Sequence, residues 1–298
     1  MTTIQVRGLT KRFGGTVAVD DVSFDVPAGR VVGFLGPNGA GKTTTLRCLL
    51  GLVQPTSGTA TFDGTRYADL PDPTRLVGAV LESSSFHPKR SGRDHLRVIV
   101  ATTRTPVGRV DEVLELVGLT SDGGRSVDGY SLGMKQRLSL AAALLRDPET
   151  LVLDEPANGL DPGGMHWLRA FLRRHAAAGG SVLVSSHVLG EVAQTVDDVV
   201  IVGRGRLVRA GPIGELTGDG DRSVRVRSPH ADRLAELLTK AGASLTPADG
   251  GITVRGITSE QVGELAAAHG LVLHELAPTV TSLEDIFLRL TGSGGGAA

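Results

Sequence analysis

The sequence has 298 residues, 40% of them hydrophobic but only 3% aromatic, which is enough for one large domain and a smaller one with cores built mainly from Val, Leu and Ala. A formal net charge of −1 argues against bulk attraction to nucleic acid or acidic lipid, and the single cysteine, Cys48, excludes an internal disulfide framework. The amino terminus carries no apolar leader run, and the longest apolar-rich stretch, 138–145, is far short of the roughly 20 residues that span a bilayer, so a cytoplasmic chain that does not itself cross a membrane is expected.

The chain opens in β structure. Val22, Phe24 and Val26 alternate with Ser23 and Asp25, the pattern of a half-buried strand. After the Pro27-Ala28-Gly29 turn, the apolar run 31–35 predicts a strand buried on both faces. A glycine-rich loop follows, then a helix over about 42–50 in which Cys48 reads as buried packing. Short strands are predicted near 59–62 and 76–81. The region 92–146 reads as helical, with Val110, Val113, Leu114 and Val117 on one face. Strand 151–153, helix 164–176, strand 182–185, a short helix at 189–194 and strand 199–202 then alternate, which implies a mostly parallel sheet covered by helices.

Around Gly218-Asp219-Gly220 the composition turns polar, and a domain boundary is placed there. Residues 222–291 read as a small α+β module with strands at 224–226, 252–254 and 271–273 and helices at 231–241, 259–269 and 282–290. The glycine-rich tail 292–298 is expected to be flexible.

Two stretches carry chemistry. Gly36-Pro37-Asn38-Gly39-Ala40-Gly41-Lys42-Thr43 fits the phosphate-loop spacing G-x-x-x-x-G-K-[ST] and lies between a buried strand and a helix. Phosphate oxygens need several backbone N–H groups converging on one point, which glycines permit, and the helix N-terminus behind the loop adds a favourable dipole. Lys42 is placed to reach β- and γ-phosphates, and Thr43 to ligate Mg²⁺; Thr44 continues the same turn. The second stretch, 151–155, is an apolar strand ending in Asp154 and Glu155. Acids at the carboxyl end of a parallel strand stand where such sheets bind ligands. Asp154 is suited to hold Mg²⁺ opposite Thr43, and Glu155 to act as general base toward water. Either acid, taken alone, would equally be an ordinary solvated strand end.

With these motifs in place, the chain resembles the ATP-binding subunits of ABC transporters over about 3–217. Tyr130-Ser131-Leu132-Gly133-Met134-Lys135-Gln136-Arg137 stands where that family has its Leu-Ser-Gly-Gly-Gln signature, keeping Ser131 and Gly133 in a variant similar to that of drug-export and resistance-type members. The resemblance implies a P-loop NTPase fold of ABC ATPase type: a parallel-sheet core, an antiparallel β subdomain and a helical subdomain (about 83–147), all within 1–217, followed by the accessory α+β domain (222–291), whose segment 282–292 is similar to the tail of export-type members. It also implies ATP and Mg²⁺ as ligands, hydrolysis, a homodimer closed by ATP, with Ser131 and Gly133 of one copy against the γ-phosphate held by the other, and a membrane-spanning subunit on another chain at the inner face of the membrane.

Three further segments fit that family: Gly159-Leu160-Asp161 its D-loop, His187 its switch histidine and Phe13 its adenine-stacking ring. Without the resemblance, Ser131 would be a simple helix cap, His187 an exposed side chain and Phe13 a turn residue. One departure is Glu82, where the family usually has Gln; it is expected to contact the metal with an added negative charge. The rival reading is a non-transport ABC ATPase acting as a soluble clamp, against which the single phosphate loop and the lack of a coiled-coil insertion argue.

Overall fold

A computed structural model describes residues 2–81, 86–188, 194–217, 223–248 and 250–279. The chain divides into two compact units, Met1–Pro212 and Ile213–Ala298.

The first unit begins with a long antiparallel hairpin, β1 (Ile4–Phe13) and β2 (Thr16–Val26), to which β4 (Ser57–Phe62) adds on the free side of β1. Alternation puts Ile4, Val6, Val22, Phe24 and Val26 on the buried face. Between these strands in sequence lie β3 (Val31–Leu35) and α1 (Lys42–Leu49). β3 is buried at every residue, as befits the middle of a covered parallel sheet. The main sheet has the order β5-β6-β7-β3-β8-β9, where β5 is Val77–Val80, β6 Thr150–Leu153, β7 Ser181–Ser186, β8 Asp198–Gly203 and β9 Arg206–Pro212. Only β9 runs antiparallel, through a two-residue turn with Arg204 and Gly205 both at positive φ (50° and 79°), which the sequence reading did not pick out.

One apolar core joins the hairpin sheet, α1 and the main sheet. Phe24 stacks on Phe34 at 5.2 Å between ring centres, and Leu46, Leu49 and Phe62 complete it. Each such side chain contributes about 1.5–3 kcal/mol by leaving water. α2 (Pro73–Leu76) leads into β5, and the predicted helical region resolves into α3 (Gly92–Ala101), α4 (Arg109–Leu116) and α5 (Leu132–Leu144). α6 (Pro162–Ala177) starts where Asp161 caps it, accepting from Gly164 N at 2.9 Å. The short helix expected at 189–194 falls almost wholly outside the described residues.

The second unit contains α7 (Ile213–Thr217), β10 (Ser223–Arg227), α8 (Ala231–Lys240), β11 (Ser244–Ala248), β12 (Gly251–Arg255), α9 (Ser259–Ala268) and β13 (Glu275–Thr279). From β10 onward this is a β-α-β-β-α-β unit with sheet order β11-β12-β10-β13, all neighbours antiparallel, the split ferredoxin-like arrangement. Val224, Val226 and Val254 face Leu234, Leu238, Val262 and Ala266 in its own core. The strand expected at 271–273 is corrected: the last strand is β13. Leu271 N donates to Ala266 O at 2.9 Å after Gly270 at φ 64°, so this apolar triplet closes the end of α9 rather than extending along the sheet. The helix expected at 282–290 and the tail 292–298 lie outside the described residues.

Candidate nucleotide site

Parallel registration brings three strand ends together. Leu35 pairs with Ser186 and Leu153 with Val184, so the loop after β3, the acids after β6 and the histidine after β7 emerge side by side at the carboxyl edge. Two glycines allow the first loop to pass its neighbours. A Cβ on Gly36 would stand 2.6 Å from Val202 O, and one on Gly41, at φ 95°, would stand 2.4 Å from Ala18 O. Gly41 occupies the cap position of α1, and no side chain caps that helix among the described residues. Its first amides therefore face the cavity, together with the positive end of the helix dipole.

The charged groups are tied to one another. Lys42 is 7% exposed; its Nζ donates to Gly36 O at 2.7 Å and Pro37 O at 3.4 Å and stands 3.4 Å from Glu155 Oε1. Thr43 Oγ1 donates to Asp154 Oδ2 at 2.7 Å, and Asp154 is only 2% exposed. Ser185 Oγ donates to the other Asp154 oxygen and accepts from Glu155 N at 2.9 Å. Glu155 has a left-handed backbone, φ 49°, and its Oε2 lies 2.9 Å from His187 Nδ1. A buried carboxylate with a hydroxyl on each oxygen, a lysine held by loop carbonyls, and a second carboxylate between that lysine and a histidine form a polarised network beside open amides.

These groups line a cavity of about 580 Å³, whose wall includes Pro37, Asn38, Gly39, Ala40, Gly41, Lys42, Thr43, Thr44, Asp154 and Glu155. Gly36, the residue after β3, does not line it; its carbonyl accepts from Lys42 Nζ. Ala18, Asn158, Leu132 and Gln136 also reach the cavity. Ser131 and Gly133 do not line it. Ser131 is exposed and caps α5, accepting from Met134 N at 3.2 Å, while Gly133 lies on the Gly159 backbone, where a Cβ would come within 2.8 Å of the carbonyl oxygen. Tyr130 points the other way: buried, it donates from its hydroxyl to Asp122 O at 2.7 Å and packs on Gly92, and burial pushes its pKa up. Phe13, at the end of β1, is 50% exposed, with Lys11 Nζ 4.8 Å above its ring. Its ring is open for stacking, although it does not line the cavity wall. Glu82 lies outside the described residues.

Ser185 was missed by the sequence reading. A serine at the end of an apolar strand next to the acidic one is the available signal, but only β6–β7 pairing reveals that it serves both acids.

Comparison with known proteins gives the chain's family. Residues 19–158 match a family model described as ABC transporter, and residues 222–284 match one described as a domain of unknown function. The bacitracin transport ATP-binding protein BcrA of Enterococcus faecalis is 36% identical, the alignment covering 98% of this chain and 97% of that protein. The Nod factor export ATP-binding protein I of Cupriavidus metallidurans is 35% identical over 97% of each. A solved ATP-binding subunit of an ABC transporter superposes with a TM-score of 0.65 at 28% identity, covering 72% of this chain and 91% of its own. No helix among the described residues is long and apolar enough to cross a membrane. Relatives this similar, aligned with the chain nearly end to end, place it by descent as well as by fold: it belongs to the ATP-binding proteins of ABC transporters and is an ATPase of that family.

Proposed function

We propose that this chain powers an exporter, binding ATP with Mg²⁺ as one half of a homodimer and driving a membrane-spanning subunit on a separate polypeptide, at the inner face of the membrane. The observation that carries the reading is the Lys42–Glu155–His187 network beside the uncapped start of α1. Export rests on the names of the relatives, and the separate membrane subunit on their being ATP-binding proteins of transport systems.

The donor set suits the ligand. Thr43 hydroxyl and Asp154 carboxylate, 2.7 Å apart, are hard oxygen donors of the kind Mg²⁺ takes together with phosphate oxygens. When bound there, Mg²⁺ supplies charge neutralisation across the β- and γ-phosphates. Lys42 exchanges its bonds to Gly36 and Pro37 carbonyls for phosphate oxygens. The amides of Asn38, Gly39 and Gly41 and those at the start of α1 take the remaining negative charge, with Thr44 beside them. Leaving Lys42 frees Glu155 Oε1 to accept a proton from the attacking water, whose oxygen bonds to the γ-phosphorus as the bond to the β-phosphate oxygen breaks. His187 holds Glu155 through its other oxygen. Phe13 stacks on the adenine. Ser131 and Gly133, which do not line their own cavity, would face the γ-phosphate bound by the second copy, and Glu82 would contact the metal.

The test is Glu155→Gln. The substituted chain should bind ATP yet turn it over about 10²–10³-fold more slowly, because the base is gone while binding groups remain. With ATP and Mg²⁺ it should elute from gel filtration as a dimer. Turnover at the unsubstituted rate would remove Glu155 from its role, and a monomer under those conditions would refute the two-copy site.

A further inference from the structure

Lys11 is a half-buried cation that takes no part in the chemistry proposed above. Its Nζ donates to Gln54 O at 2.8 Å and stands 4.8 Å from the centre of the Phe13 ring. Gln54 belongs to the turn that leaves α1, where the amides of Leu52 and Val53 both donate to Arg47 O, at 2.9 and 3.2 Å. Two more hydrogen bonds tie that turn to β1: Thr56 N donates to Thr10 O at 2.8 Å, and Arg12 N to Thr56 Oγ1 at 3.0 Å. At its other end α1 bears the phosphate loop, which rests on β2, since a Cβ on Gly41 would collide with Ala18 O. The hairpin that carries Phe13 is therefore fastened at both ends of that helix.

The ring itself has little else to hold it. Phe13 pairs with Thr16 at the tip of the hairpin, is half exposed and makes no contact with another aromatic ring among the described residues. A cation drawn to a ring fixes where that face points and uses it up, so one face of Phe13 belongs to Lys11 and the other to whatever stacks there. Electron density pulled toward the cation leaves the outer face poorer in electrons. That face is then a better platform for an electron-rich purine than a bare phenyl ring would be.

We propose that Lys11 is a positioning residue for the nucleotide base: it holds the Phe13 ring from one face, presents the other face to a purine and, through Gln54, fixes that platform relative to the amides at the start of α1. Base and triphosphate are then gripped by one hydrogen-bonded body, at a set separation. This rests on the stacking proposed for Phe13 and adds to it the group that makes the ring a platform.

Lys11→Met should raise KM for ATP about threefold while leaving kcat unchanged, as expected for losing a cation–π contact at an exposed ring. Inorganic tripolyphosphate offers the phosphate chain without a base, so its inhibition constant as a competitor should stay the same. Lys11→Arg, which keeps a cation, should retain the parental KM. Phe13→Ala should raise KM for ATP about tenfold, as loss of base stacking does, and adding Lys11→Met to it should cost nothing further. A parental KM in Lys11→Met beside a weakened Phe13→Ala chain would overturn the inference and leave the stacking standing. Equal weakening of ATP and tripolyphosphate would also overturn it, by showing that Lys11 acts on the phosphate loop. Unchanged ATP affinity in Phe13→Ala would overturn both. If Lys11→Met fails to fold, Lys11→Gln, which keeps a donor for Gln54 O but lacks the charge, should show the same loss for ATP alone, and a parental KM there overturns the inference.

Discussion

The starts of α1 and α5 are two helix N-termini preceded by glycine-bearing or serine-bearing turns, yet they differ in one respect. Gly41 leaves α1 without a side-chain cap, so its amides are permanently directed at the cavity. Ser131 caps α5 with its own hydroxyl, so that the amide of Met134 is already satisfied. The first end is ready for an anion before any arrives. The second must exchange an internal hydrogen bond for an external one, which suits a contact made only when a partner is present. On the two-copy reading proposed above, the difference separates binding from closure: one end would capture nucleotide, and the other would complete the assembly.

Substitutions can break this comparison, beginning with the largest effect. Lys42→Ala removes the cation of the open end and should weaken ATP binding at least about 100-fold, read by titration calorimetry, since a charge-assisted contact to several phosphate oxygens is lost. Undiminished affinity would mean that the α1 end does not hold the triphosphate. Gly41→Ala asks whether backbone approach matters apart from charge. Its Cβ would collide with Ala18 O while φ is 95°, and a loss of about 1–3 kcal/mol in chemical denaturation is expected, with weaker nucleotide binding. Ser131→Ala addresses the capped end. It should leave ATP affinity of the single chain intact and abolish nucleotide-dependent dimerisation, with about 1 kcal/mol of stability lost through the missing cap.

The smallest effect comes from histidines outside the site. Burial holds His175 below its ordinary value of 6.5, partly offset by the Glu149 carbonyl. Burial does the same for His95, helped by Arg90. Both are therefore more readily protonated in the unfolded chain, which binds more protons as the pH drops below about 6.5. Their contribution is fully present above that value and is lost as pH falls through the folded pKa values. The thermal midpoint should be lower at pH 5.5 than at pH 7.5, and His175→Gln should flatten part of that slope.

Much of the nucleotide site is legible in the sequence because its physics is local. Gly36 to Thr43 are contiguous, and a loop that must curl around phosphate shows its glycines at fixed spacing. Asp154 and Glu155 are announced by the apolar strand before them. Ser185 is not, because its work depends on β7 pairing beside β6, a relation no single segment displays. β11 escapes notice for a different reason: Ser244–Ala248 contains Pro247 and shows no alternation, being a strand held by its neighbour β12. The misplaced strand at 271–273 shows that apolar content alone does not distinguish a strand from a helix terminus that needs covering.

Glu155 occupies a backbone conformation that glycine or asparagine would adopt at less cost, by about 1–2 kcal/mol relative to an ordinary side chain. A sequence chosen for durability alone would not place a glutamate there. With the role proposed for Glu155, the turn after β6 is a spot where fitness for turnover and fitness for folding pull in opposite directions, and selection for a hardier protein would be expected to erode it first.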